Sequence, residues 1–326
     1  MIAKKVLDWY DNNKRILPWR IKCSLKKKEY FTLVSEFMLQ QTQVKTVIPY
    51  FNNFINNIPN IESLSKVNEN KILKYWQGLG YYSRAKNLKK SAMIIVNKYN
   101  GRLPRSIIEL KKLPGIGDYT ANAILAIVFN ESVIPIDGNI ERVLKRILNL
   151  KTEKDNNKKN LYKFTKVFGS TNRSSDYVQA LMEIGSLICK PKNPNCDHCP
   201  IKRNCLSLAN KDFEIKKIDK KIIDKFYLAT LYRNNDQILL IKNNKFKFLK
   251  NLLIFPMKEI SQSNFLFKSK NKLNFKMSNM NMNIFIDFSN DKKKLKDGLW
   301  VEKKKLQNYM LPTFTRKILA SVKHNL

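Results

Sequence analysis

Apolar residues recur with a helical period through the first 188 positions of this chain, and with a strand period only after position 225. Residues 2–12 place Ile2, Val6, Leu7 and Trp9 for packing and predict an amphipathic helix. It ends before Arg15-Ile16-Leu17-Pro18-Trp19-Arg20. Segment 22–29 is basic and reads as a loop carrying the lone Cys23, an inert thiol. Residues 32–48 predict one long helix with the stripe Leu33, Val34, Phe37, Met38, Val44 and Ile48. Glu36, Gln40 and Gln43 fall at i, i+4 and i+7 on another face. Exposed faces elsewhere are filled with lysine and asparagine, so a stripe free of lysine is predicted to meet a ligand. Residues 71–99 read as helix on both sides of a break at Gly78-Leu79-Gly80, with Tyr81 and Tyr82 at the break. Helical patterns continue over 106–112, 118–129, 139–148 and 175–188, and nothing before Cys189 reads as sheet.

Residues 206–225 are charged and linker-like. Beyond them the period changes to two. Residues 227–232 and 237–241 read as strands around an Asn-Asn-Asp turn, and 252–256, 283–286 and 299–301 as further strands. A closing helix is expected over 312–323. The predicted organisation is a mostly α domain over 1–205, a linker over 206–225 and an α+β domain over 226–326. No internal repeat is visible.

Composition sharpens this only in part. The formal charge of +36 points to a polyanionic partner. It is spread evenly, however: residues 1–220 carry 40 basic and 19 acidic residues, and residues 221–326 carry 22 and 7. A global residue bias contributes, so the charge does not map a patch. Glycine is scarce at nine, and eight of the nine lie between Gly78 and Gly185. Such a chain is expected to keep glycine where the backbone needs it. No apolar run is long enough to span a bilayer and no secretory leader is visible, so a soluble, cytoplasmic protein without a membrane partner is expected.

Three features carry chemistry. Leu113-Pro114-Gly115-Ile116-Gly117 reads as a hairpin between helices, with both glycines allowing positive φ and free N–H groups at Asp118 offering a phosphate cradle. About twenty residues on, Asp137-Gly138-Asn139 puts a carboxylate at the mouth of another helix. Two capped helices in an all-α domain account for the hairpin equally well. Cys189, Cys196, Cys199 and Cys205, spaced C-x6-C-x2-C-x5-C, can hold a [4Fe–4S] cluster or zinc, though common zinc patterns pair two closer knuckles. His198 reads as a bystander. Lys190, Pro191 and Lys192 form a stiff basic loop able to touch phosphates.

These motifs resemble the adenine DNA glycosylases of the MutY family, within the helix-hairpin-helix glycosylases. The resemblance is carried by Leu17-Pro18-Trp19-Arg20, Ser35-Glu36-Phe37-Met38-Leu39-Gln40-Gln41-Thr42-Gln43-Val44 and Trp76-Gln77-Gly78-Leu79-Gly80-Tyr81-Tyr82. The hairpin, Asp137-Gly138-Asn139, Gln179-Ala180-Leu181-Met182-Glu183 and the four cysteines add to it. It is close over 1–205 and weaker to the end, through Leu311-Pro312-Thr313-Phe314-Thr315-Arg316.

The resemblance implies a six-helix barrel with a [4Fe–4S] subdomain at 189–205, then a MutT-like (Nudix-like) domain that recognises 8-oxoguanine. It implies a monomer that removes adenine mispaired with 8-oxoguanine or guanine in duplex DNA, associated with the nucleoid. Glu36 would protonate the adenine at N7 and Asp137 would steady or capture the cationic sugar. Asn139 and Tyr119 would arrange that site. Arg15, Leu17, Trp19, Gln179 and Glu183 would line the adenine pocket. Gln40 and Tyr81 would wedge into the duplex, with Gly115, Gly117, Lys190 and Lys192 on the backbone. Related endonuclease III enzymes carry an amine nucleophile where this chain has Tyr119, so a monofunctional glycosylase is expected. The C-terminal domain lacks a Nudix box of glutamates, so binding without hydrolysis is expected there. The family's Phe-Ser-His loop is matched only by Met277-Ser278-Asn279, and its Trp-Gly turn is replaced around Leu249-Lys250-Asn251-Leu252. Relaxed discrimination of 8-oxoguanine from guanine, through Ser278 alone, follows as an expectation. An endonuclease III-like lyase, an iron–sulfur DNA-binding regulator and a slow, drifted glycosylase are the rival readings.

Overall fold

A computed structural model of the chain describes residues 1–151, 158–214, 222–266, 271–277, 279–290 and 298–322. Packing groups them into two units: Met1–Val67 with Ser83–Lys217, and Asn68–Tyr82 with Ile218–Leu326. The sequence keeps 68–82 with the helical domain, whereas packing places Asn68–Tyr82 with the C-terminal unit. Local periodicity carries no record of a partner more than a hundred positions away.

The first unit is built on the helix Leu25–Leu39, in which every residue from Glu29 to Met38 is buried. A helix buried all round is core. It begins at Ser24, whose hydroxyl accepts from the Lys27 N–H at 3.4 Å, inside the stretch expected to be loop. The lysines at 26–28 ride its first turns and disguise it. The helix also stops earlier than expected: Leu25–Leu39 and Val44–Asn57 are separate, and Gln41 adopts φ 57° between them. The buried Arg84 explains the stop. Its guanidinium donates to the carbonyls of Phe37 at 3.1 Å, Met38 at 2.7 Å and Gln40, groups that would otherwise be orphaned at a helix end. The three residues Glu36, Gln40 and Gln43 therefore do not share one helical face.

Ile2–Asn13, Gly138–Leu148 and Ser174–Glu183 pack together through Val6, Leu7, Tyr10, Ile140, Leu144 and Leu181. Further helices span Ser83–Tyr99, Ile107–Lys111 and Asp118–Phe129. Residues 206–214, expected as linker, contain the short helix Leu206–Ala209 and a segment that Arg146 and Lys151 tie down at Phe213 and Asp212. No described residue before 222 lies in a strand.

Among its described residues the second unit carries a seven-stranded mixed sheet: β1 Ile223–Asn234, β2 Gln237–Lys242, β3 Leu253–Ile254, β4 Met257–Glu259, β5 Lys272–Met277, β6 Met280–Ser289 and β7 Gly298–Glu302. The main order is β3-β2-β1-β6-β5, with β4 on β1 and β7 on β2. The central pair is parallel, Ile223↔Met280 through Tyr232↔Ser289, and the other pairs are antiparallel. Alternate residues of that pair, Tyr227, Ala229 and Leu231 with Met282, Ile284 and Ile286, form the core. The helix Thr313–Ser321 covers it through Phe314 and Ile318. Ser278 and His324 lie outside the described residues.

Glycine scarcity has a structural answer. Among the described residues eleven non-glycine residues have positive φ, and seven are asparagines: Asn100, Asn130, Asn149, Asn193, Asn235, Asn251 and Asn271. Asparagine tolerates the left-handed region better than other side chains. It ends Asp118–Phe129 at Asn130 and Gly138–Leu148 at Asn149, where helices more often use glycine. No helix among the described residues is long and apolar enough to cross a membrane.

Candidate active site

The first unit holds a cleft of about 990 Å³. Glu36, Tyr119, Asp137 and Asn139 line it together, with Arg15, Leu17, Trp19, Gln179 and Gln40. Residues more than 100 positions apart in sequence, such as Glu36 and Asp137, thus converge on one space.

Glu36 sits in the last turn of Leu25–Leu39 and is 5% exposed. One carboxyl oxygen, Oε2, is buried without a hydrogen-bond partner. Burial pushes its pKa from 4.5 to about 7, against a hydrogen bond with Tyr119. Asp137 raises it further and Arg20 lowers it. The acid therefore keeps its proton well above the ordinary carboxylate range, as a proton donor working near neutrality requires. Burial also drives the Tyr119 phenol well above its ordinary range, so it remains a neutral donor.

Asp137 is held differently. It caps the helix Gly138–Leu148, accepting from the N–H of Asn139 at 2.9 Å and of Ile140 at 2.7 Å. The Asn139 amide adds a third bond at 3.0 Å. Burial raises its pKa, while these donors and the Arg142 guanidinium pull it down. Three donors favour the charged form, and the helix N-terminus favours an anion. Asp137 thus has three donors to its carboxylate, whereas Glu36 Oε2 has none, so ionisation is favoured at Asp137 over Glu36.

Arg142 fixes this arrangement, although nothing in the sequence marks it on so basic a helix. It donates to Asn139 Oδ1 at 2.8 Å and to the carbonyls of Gly138, Gly185 and Cys189. One turn on, the buried Arg146 donates to Cys189 Sγ at 3.4 Å, Lys190 O at 2.7 Å and Pro191 O at 2.9 Å. The Cys205 thiol donates to Arg146 O at 3.4 Å. The four thiols lie near enough to perturb one another, and burial with that mutual influence raises Cys196, Cys199 and Cys205, Cys199 to about 11. Among the described residues no three His, Cys, Asp or Glu side chains are placed around a single metal ion. His198 pairs with Asn195 at the surface. Lys190 and Lys192 are exposed, and Pro191 between them reaches the cleft wall.

The helix Ser174–Glu183 runs into a π turn at Ile184–Ile188, a feature found often at functional sites. Gly185 in that turn meets the Asp137 helix: a Cβ there would lie 2.5 Å from Asn139 Cβ and 3.0 Å from its backbone. Gly185→Ala is thus expected to displace Asn139 and slow the reaction roughly 10- to 100-fold while leaving the cysteine loop intact, as single-turnover kinetics would read.

Glu183 lies beneath the cleft wall, fully buried, and binds Arg15 Nε and Arg20 at 2.6 Å each. The two arginines, not Glu183, face the cleft. Arg20 stands in the sequence motif Leu17-Pro18-Trp19-Arg20, where nothing local marks its pairing with Glu183. Gln179 donates its amide N–H to Ser175 O at 2.9 Å, which leaves Oε1 to accept from a ligand.

At the hairpin only Gly115 has positive φ, +84°. Its Cβ would also strike Phe37 at 2.7 Å and Asn87 at 2.9 Å. Gly117 is neither left-handed nor crowded, against the expectation for both glycines. It caps Asp118–Phe129 without a side-chain bond, so the helix's first N–H groups remain available. Gln40 donates to Gly115 O at 3.3 Å and Thr120 Oγ1 at 3.5 Å, tying the cleft edge to the hairpin. In the second unit the tyrosine pair divides: Tyr82 is buried and Tyr81 is 50% exposed with φ 47°.

Residues 34–168 match the family of HhH-GPD superfamily base excision DNA repair proteins. The chain is similar to the adenine DNA glycosylase of Buchnera aphidicola subsp. Baizongia pistaciae, 39% identical over 345 residues, covering 98% of this chain and 95% of that protein. It is 37% identical over 207 residues to the human adenine DNA glycosylase, covering 61% of this chain and 38% of that one. Among solved structures, a thermostable thymine-DNA glycosylase matches with TM-score 0.57 and 25% identity, covering 64% of this chain and 95% of that one. A non-covalent endonuclease III–DNA complex matches in fold with TM-score 0.53 and 21% identity, over 64% of this chain and 94% of that one.

Proposed function

The chain belongs to the adenine DNA glycosylases of the HhH-GPD superfamily, and from that premise we propose that it removes adenine mispaired with 8-oxoguanine or guanine, monofunctionally, leaving an abasic site. The observation that carries this is the pair of unlike acids in one cleft. Adenine must leave the stack before any side chain reaches it, at a cost of a few kcal/mol. It is a poor leaving group as an anion, so Glu36 delivers its proton to N7. Positive charge then grows on the sugar beside the Asp137 carboxylate. Two carboxyl groups with divided roles are the logic of glycoside cleavage. Arg15, Arg20, Trp19, Leu17 and Gln179 shape the base pocket, with Glu183 as the arginines' buried counter-ion. Gln40 and Tyr81 serve as wedges that fill the vacated stack. Gly115, Gly117, Lys190 and Lys192 serve the phosphate backbone. The protein acts as a monomer in the nucleoid.

The monofunctional reading rests on Tyr119, a neutral phenol where an amine would be needed for strand cleavage. Lys45 also lines the cleft, but it is exposed on the first turn of Val44–Asn57.

Cys189, Cys196, Cys199 and Cys205 are proposed to hold a [4Fe–4S] cluster. The donor set fits: four thiols on one loop, with Arg146 donating to Cys189 Sγ and offsetting thiolate charge. Bound there, the cluster would cross-link four points of the loop. Arg142 and Arg146 then carry that loop's position to the Asp137 helix.

Single-turnover incubation with duplexes holding A:8-oxoguanine or A:G tests the reading. Adenine release with strand breakage only after alkali is expected; nicking without alkali, or release of thymine glycol from a parallel duplex that carries it, would establish the lyase alternative. The turn between β5 and β6 joins Met277 to Met280, which pair across it, and offers neither ring nor imidazole at Met277 or Asn279. Rates on the two mispairs are therefore expected to lie within about tenfold of each other, since a missing contact of about 1.4 kcal/mol is worth that much. A much larger preference for 8-oxoguanine would reject relaxed discrimination without touching the glycosylase reading.

A further inference from the structure

A cavity of about 550 Å³ opens within the second unit, between the helix Glu69–Tyr75, the end of β2 and segment 308–310. Its basic groups are Lys71, Lys74 and Lys242. Asn70, Asn251 and Asn308 stand among them. No carboxylate lines the cavity, and none of the three lysines has an ion-pair partner among the described residues. Three cationic side chains without carboxylate partners line one concavity, so an anion bound there would be attracted by all three. Leu73, Leu252, Leu253, Tyr309 and Met310 complete the lining.

These parts match those of a nucleotide. Ammonium groups take a phosphate, carboxamides take a base edge, and a phenol ring with apolar side chains takes a base face. We infer that the cavity is a nucleotide subsite, taking one phosphorylated nucleoside unit, either within a DNA strand or as a free nucleotide. Its size suits such a ligand. One rim is held in place in advance. Asn251 has φ 63°, and its N–H donates to Asn243 O at 2.7 Å. The buried Asn243 accepts from the Phe246 N–H at 2.9 Å and donates its amide to the carbonyls of Phe246 and Phe248. β3 and β5 lie at opposite ends of the strand order, so this site is separate from the β5–β6 turn assigned to lesion reading.

The test compares two full-length triple variants of equal charge. One carries Lys71→Ala, Lys74→Ala and Lys242→Ala; the other carries Lys258→Ala, Lys304→Ala and Lys317→Ala, at exposed lysines away from the cavity. Duplex binding is measured by anisotropy from about 50 to about 200 mM salt, and deoxyguanosine monophosphate binding by calorimetry. A strand in the cavity makes the log–log salt slope shallower by about 2 to 3 in the first variant and by less than about 1 in the second. A free nucleotide instead binds the wild type and loses about tenfold or more in the first variant alone. Either result supports the inference and names the source. Equal slopes with no nucleotide binding overturn it, as do equal losses in both variants. Single-turnover adenine release at saturating duplex is expected to stay within about twofold, so this inference and the glycosylase reading fail separately.

Discussion

Glu36→Gln is expected to abolish adenine release, by roughly 10²- to 10⁴-fold, while duplex affinity is kept. Glutamine fills the same space and still meets Tyr119, but it has no acidic proton to give. The wild-type rate should itself fall as pH rises through about 7, where burial places the Glu36 pKa. Above that value the slope approaches tenfold per pH unit, and the variant's residual rate should show no such limb. Stability gives an independent readout. The folded chain keeps a proton on Glu36 that the unfolded chain has released above 4.5, so stability falls as pH rises from 4.5 to about 7. The shift corresponds to about 3 kcal/mol, which glutamine does not suffer. The variant should therefore melt higher than wild type at pH 8 and about equally at pH 4.5. Unchanged excision in Glu36→Gln would remove the acid from the mechanism. An unchanged melting difference across pH would mean that Glu36 is not buried as described.

Much of this site could be read from sequence, because its chemistry sits in short motifs. Glu36, Asp137 and the four cysteines each stand in a run whose residue types are unusual for this Lys- and Asn-rich chain. The absence of lysine around Glu36 nevertheless has a different cause from a ligand-facing surface. Its neighbourhood lacks lysine because the helix is buried on every side, not because Glu36, Gln40 and Gln43 form one stripe. The stop after Leu39 had no local signal, since Leu39-Gln40-Gln41-Thr42-Gln43 contains neither glycine nor proline. It comes from Arg84, whose guanidinium claims the terminal carbonyls. Arg142 and Arg146 were illegible for a similar cause: a cation on a basic helix carries no mark of a carbonyl or thiol more than forty residues away. β5 is hard to read from sequence because Lys272, Asn274 and Lys276 alternate with Leu273, Phe275 and Met277 on a half-exposed edge. Its strand character comes from pairing with β6.

Asp137→Asn is the second decisive substitution, with adenine release expected to fall about 10³-fold, as for loss of a fixed charge opposite a developing one. The isostere retains one oxygen to accept from Asn139 and Ile140, so the helix keeps its cap. It loses the anion facing the sugar. It also turns an acceptor into a donor opposite the Asn139 amide, which Arg142 cannot let rotate because it holds Asn139 Oδ1 at 2.8 Å. A loss of about 1 to 2 kcal/mol of stability should accompany the change, and calorimetry would measure it. Asp137→Ala removes cap and charge together and leaves no such clash. The two variants should therefore differ in stability yet share the same deep loss of excision. One further consequence links the two acids. Asp137 raises the Glu36 pKa by its charge, so the residual activity of Asp137→Asn should lose its alkaline limb at a lower pH than wild type. A variant that excises adenine within tenfold of wild type, or whose pH profile does not move, would show that the two carboxyl groups do not act on the same nucleotide.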